Sequence, residues 1–133
     1  MNLKNTLILC LLTALLTVAQ AQTTKETNIP ETPAGRMAAA YIKAFNTGDP
    51  KELIEFMKKN DGRSNNEGPG PKIAKALMDE LGKLSVAEIT WSKDNQVTVA
   101  LKAESGKKIL LDCYVESVPP HKINQFRFEL IKD

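Results

Sequence analysis

The sequence is poor in the residues that usually carry chemistry. It has one histidine, two cysteines and 5% aromatic residues in 133 positions. A single histidine, His121, cannot build a zinc site without several partners, and there is no Cys/His cluster to supply them. No metal and no cofactor are therefore expected. Gly-rich phosphate loops, a Gly-X-Ser-X-Gly elbow and a His-Glu-X-X-His helix are all missing. Asn65-Asn66-Glu67 lacks calcium-loop spacing, and no Asn-X-Ser/Thr sequon occurs. Neither charge sign dominates: 18 basic and 16 acidic residues are interspersed, giving +2. Without a basic face or many aromatic rings, nucleic acid is not an expected partner.

The first 21 residues read as a signal peptide. Lys4 gives a positive start, Thr6 to Val18 is apolar apart from threonines, and Ala19-Gln20-Ala21 offers small residues for cleavage after Ala21. The apolar run is shorter than the roughly 20 residues of a spanning helix, so no membrane association is expected once it is removed. Cys10 lacks the small residues that precede a lipidated cysteine. An exported domain, periplasmic or secreted, then keeps one cysteine, Cys113, and no internal disulfide. Burial inside a strand is the simplest role for that thiol. Residues 22–31 are polar and without period, a flexible leader into a single domain over 32–133.

Three helices are predicted first. Thr32-Pro33 starts one, with Ala34, Met37, Ala38, Tyr41, Ala44 and Phe45 on one face and Asn46-Thr47-Gly48 ending it. Asp49-Pro50 starts the next, with Leu53, Ile54, Phe56 and Met57 apolar, ending at Asn60-Asp61-Gly62. Arg63 to Gly70 is a loop by composition, and a third helix runs from Pro71 to Gly82 with Ile73, Ala74, Leu77, Met78 and Leu81 buried.

From Leu84 the period changes to two. Leu84 and Val86 share a face with Glu88 if the strand is regular, while Ala87, Ile89 and Trp91 share the other; a bulge near Ala87 would turn Glu88 to water. Lys93-Asp94-Asn95 turns into a strand with Val97, Val99, Leu101 and Ala103 inward. After Glu104-Ser105-Gly106-Lys107 comes a strand with Ile109, Leu111, Cys113 and Val115 inward and Asp112, Tyr114 and Glu116 outward. Pro119-Pro120 breaks the ladder, and Ile123 to Ile131 closes the sheet with Phe126, Phe128 and Leu130 inward. The expected fold is α+β: three N-terminal helices on the concave face of a curved antiparallel sheet of about four strands.

The run Ala39-Ala40-Tyr41-Ile42-Lys43-Ala44-Phe45-Asn46-Thr47-Gly48-Asp49, with Val118-Pro119-Pro120-His121-Lys122-Ile123 near the end, resembles nuclear transport factor 2-like (SnoaL-like, cystatin-like fold) domains. The likeness is greatest to exported bacterial domains of the kind often found ahead of serine hydrolases or peptidases, and it spans about residues 32 to 131. It implies a cone-shaped scaffold that hosts isomerases, dehydratases, hydrolases and non-enzymatic modules alike. The β-hairpin usual between the second and third helices is not visible, and the Tyr/Asp pattern of the ketosteroid isomerase branch has no counterpart.

Two functional classes follow. One is an exported non-catalytic domain that binds a small apolar molecule or a protein partner, with Trp91 or Glu88 as contact residues, or that dimerises through the outer sheet face. The other is a small enzyme on a lipophilic compound, an isomerase, dehydratase or hydrolase. Glu88 would be its acid/base and Tyr41 or Tyr114 its hydrogen-bond donor.

Overall fold

A computed structural model describes residues 28–63 and 68–133. The signal-peptide reading, Cys10, the leader up to residue 27 and Asn65-Asn66-Glu67 lie outside the described residues. The order is α1 (Pro33–Asn46), α2 (Pro50–Asn60), α3 (Pro71–Leu81), β1 (Leu84–Lys93), β2 (Gln96–Ala103), β3 (Lys108–Val115) and β4 (Ile123–Ile131). The strands form one antiparallel meander in the order β1-β2-β3-β4. The α+β arrangement expected from the sequence is the one observed.

Each helix opens on a proline at its first turn, where the missing N–H has no helical partner to lose. The Thr32 hydroxyl accepts from Gly35 N–H at 3.0 Å, and the Asp49 carboxylate from Lys51 N–H at 2.9 Å. Gly35 is required for another reason: a Cβ there would lie 1.9 Å from the carbonyl oxygen of Pro30, so the incoming chain crosses α1 at backbone contact. Gly48, with φ of 71°, makes the corner that folds α2 back along α1.

The core joins Ala34, Ala38, Tyr41, Phe45 and Ile42 of α1 to the inward rows Val97, Val99, Leu101 and Ile109, Leu111, Cys113, Val115. Burial of these side chains is the main favourable term holding the layers together. Ile73, expected on the buried side of α3, is instead 64% exposed; the helix seats on Ala74, Met78 and Leu81, with Leu77 half-buried beside them.

β1 is bulged twice. Its register slips between Val86 and Glu88 and again between Ile89 and Trp91. The first slip brings Ile89 onto the same face as Leu84 and Val86, opposite buried Val99, where a regular strand would have turned it outward. β4 slips once, between its pairs at Val115 and Tyr114, so that Ile123 and Phe126 both face the helices.

Cys113 is fully buried, and burial, helped by the charge of Asp112, pushes its thiol up to about 12 from an ordinary 9.0. Burial likewise raises the Tyr41 phenol above its ordinary range. Both groups hold in the folded state protons that the unfolded chain gives up. The stability they support is therefore complete below about pH 9 and is lost as pH climbs through about 12. Urea midpoints are expected to stay level from neutral pH to about 9 and then fall steadily; a midpoint that rises or holds to about pH 11 would contradict this burial.

Candidate functional site

The interior of the cup is filled with side chains. Tyr41 is ringed by Phe126, Phe128, Phe56 and Phe45 at centroid distances of 4.6, 5.9, 6.0 and 6.4 Å. Phe45 stacks on Phe128 at 5.9 Å. Edge and tilted contacts of this kind add to area burial. Tyr41 thus serves as packing, at 5% exposure.

The residues singled out from sequence do not meet. Glu88 is exposed on the outer face opposite Ala100, because the slip at Ala87 moves it there; the inward carboxylate expected of a regular strand is not formed. Trp91 is 48% exposed on the same outer face, paired with Thr98, and Lys93 lies over its ring at 5.1 Å. Tyr114 is on the outer face too, where its hydroxyl meets the Gln96 amide at 2.6 Å, and Gln96 in turn accepts from the Trp91 indole at 3.1 Å. Beside this chain, Thr98 donates to Asp112 at 2.9 Å and Arg127, its opposite on β4, approaches Asp112 at 4.0 Å. The outer face is therefore a polar network that satisfies itself, and Tyr41 lies on the opposite side of the sheet from Glu88 and Tyr114.

A sizeable concavity lies elsewhere. A groove of about 660 Å³ runs between α1 and α2, a size typical of small-molecule sites. It arises because the corner at Gly48 lays the helices side by side, so Tyr41, before the corner, touches Phe56, after it. Met37, Ala40, Ala44 and Phe56 make its floor, and the small alanines of α1 keep it open. Thr47 and Glu52 stand at the corner end; Pro33, Arg36, Lys59 and His121 stand at the other.

Charge is graded along this groove. Glu52, Glu55 and Lys43 line the corner half, and Arg36 and Lys59 the far half. Among the described residues none of these five makes an ion pair, so their charges are available to a ligand. Arg36 is anchored by a 2.7 Å bond to the Glu31 carbonyl. His121 sits at φ of 54° in the loop before β4, and its Nδ1 lies 2.8 Å from the Glu116 carbonyl. A carbonyl only accepts, so Nδ1 carries the proton and Nε2 is left for another partner. Sequence reading placed His121 in a loop but gave no sign that the chain returns it to the end of the α1/α2 groove. Nothing local in the sequence joins Lys43, Lys59 and Arg36, which belong to two helices; only the corner brings them to one cleft. Among the described residues no group of acidic, histidine or cysteine side chains is arranged to hold a metal ion, and no helix is long and apolar enough to cross a membrane.

No protein-family model matches the sequence, and no curated protein matches it.

Proposed function

We propose that this chain is an exported, non-catalytic binding domain of the nuclear transport factor 2-like kind, and that its ligand is a small amphiphile with an anionic head held in the α1/α2 groove. The observation that carries the reading is the groove itself: an apolar floor of Met37, Ala40, Ala44 and Phe56 leading to Arg36, Lys59 and His121 at one end. An acyl or comparably slender chain would cover the floor, and its head would meet the two cations. Apolar burial supplies affinity and the cations supply orientation. Glu52 and Glu55 at the corner end disfavour the reversed pose. The enzymatic alternative needs Glu88 beside Tyr41 or Tyr114; Tyr41 is on the opposite face, and Tyr114, though on the same outer face, pairs with Gln96, four residues along β2 from Ala100, the partner of Glu88.

Calorimetric titration with laurate, its methyl ester and a dodecyl trimethylammonium salt tests the proposal. Laurate is expected to bind the purified protein, the ester roughly tenfold more weakly and the cation more weakly still. The double variant Arg36→Glu, Lys59→Glu is expected to lose the preference for laurate while keeping its fold, since both residues are exposed. Equal binding of all three amphiphiles, or of none, would contradict the proposal.

A further inference from the structure

The two edges of the sheet are treated differently. β1, at one edge, is interrupted by bulges at Ala87 and Thr90, a device that prevents strands from adding to it. β4, at the other, is regular from Gln125 to Ile131. Among the described residues only its first residue is engaged: Gly62 N–H donates to the Ile123 carbonyl at 2.8 Å, and Asp61 bridges Ile123 in parallel. Beyond that point no described residue pairs with the edge.

The hydrogen-bond parity shows which groups are open. Val115 N–H donates to Asn95 on the β2 side at 2.9 Å, and Glu116 N–H to Lys122 on the β4 side at 2.8 Å. Backbone direction alternates along a strand, so Tyr114, Asp112, Leu110 and Lys108 bond toward β4. Their partners Gln125, Arg127, Glu129 and Ile131 are thereby used. Phe126, Phe128 and Leu130 turn their N–H and C=O groups outward to the free edge. At that edge Leu130 and Ile131 are 39% and 44% exposed.

The edge is complementary to itself. Laid antiparallel against its own copy about Phe128, β4 sets Arg127 opposite Glu129 of the partner subunit, and Glu129 opposite Arg127 of the partner subunit. The same register sets Phe126 opposite Leu130 of the partner subunit and Phe128 opposite Phe128 of the partner subunit. Every residue that meets its bonded opposite in this register is one whose backbone groups are open. Opposite charges meet on the outer face and apolar side chains on the inner face, the favoured cross-strand pairs.

We infer that β4 is the dimerisation edge of this protein: two copies pair β4 to β4 about a two-fold axis at Phe128, joining their sheets into one continuous antiparallel sheet. The partner is a second copy because the charges flanking Phe128, Arg127 and Glu129, are opposite in sign, so an antiparallel copy sets each against its complement. This is independent of the groove, which lies on the helical side.

Sedimentation velocity of the purified protein with charge exchanges at the edge tests the inference. The wild type is expected to be dimeric at about 100 μM. Glu129→Arg and Arg127→Glu each set like charges opposite at both ends of the register, and each is expected to raise the dimer dissociation constant roughly tenfold or more. The double exchange Arg127→Glu, Glu129→Arg restores opposite pairs and is expected to return to within roughly threefold of wild type. Leu130→Pro removes an edge N–H that the monomer does not use and is expected to abolish the dimer. The Phe128 amide should exchange slowly in a concentration-dependent way. A monomeric wild type at that concentration overturns the inference. So does a dimer that ignores both single exchanges, or one whose Phe128 amide exchanges as an open edge.

Discussion

Replacing Phe45 with alanine is expected to cost about 3–5 kcal/mol, the largest single loss available in the aromatic cluster. Phe45 is 1% exposed, stacks on Phe128 and touches Tyr41, so its removal opens a cavity between α1 and β4 that neither neighbour can fill without leaving its own contacts. Against a typical total of about 5–15 kcal/mol, that is a third or more of the stability of such a domain. The urea midpoint should fall steeply with the slope unchanged. A loss below about 1 kcal/mol would mean that the helix does not sit on the sheet as described.

Replacing Asn46 with alanine is expected to cost about 2–4 kcal/mol, more than a half-exposed amide at a helix end would ordinarily explain. The Asn46 side chain donates to the Leu84 carbonyl at 2.8 Å and accepts from the Leu84 N–H at 2.7 Å. It thus completes the backbone of the first residue of β1, 4% exposed, and clamps the end of α1 to the start of the sheet. Alanine leaves both Leu84 groups without their partner in a place water reaches poorly. Asn46→Asp separates the two bonds: a carboxylate still accepts from the N–H but sets an oxygen against the carbonyl. It should recover only part of the loss at neutral pH. Denaturation of the two variants beside wild type measures this, and an alanine variant within about 0.5 kcal/mol of wild type would refute the clamp.

Asn46 also shows where sequence reading ends. Its place beside Thr47-Gly48 marks a helix terminus, and the terminus is there; its bond to Leu84, a residue 38 positions on, has no local signature. The helix starts were legible because Thr32-Pro33 and Asp49-Pro50 carry their physical cause in adjacent residues. The inward rows of β2 and β3 were legible because strict alternation has one solution when a single face is buried. β1 was legible only in part: a bulge near Ala87 that turns Glu88 to water was one of its two readings and is the one observed, whereas the second bulge, at Thr90, has no compositional mark. Ile73 failed for a different reason: α3 meets the rest through a narrow stripe, so helical spacing overstated how much of it is covered. The groove depends on the angle between α1 and α2 and on the return of His121 beside them, both tertiary facts.

That dependence bears on function. Tyr41 and the phenylalanines around it occupy the scaffold's interior, while the open groove between the same two helices borders that cluster at Phe56. Aromatic residues fill the cup, and the small residues Ala40 and Ala44 line the groove beside it. A proposal for this protein has to follow that geometry rather than the general shape of the fold.

Amide chemical-shift mapping during a laurate titration addresses this most directly. The account predicts shifts concentrated at Met37, Ala40, Lys43, Ala44, Phe56, Lys59 and His121, with the inward rows of β2 and β3 unmoved. Shifts centred on Val99, Leu111 and Phe128, or on the outer face around Trp91 and Tyr114, would place the ligand within the cup or across the sheet and contradict it.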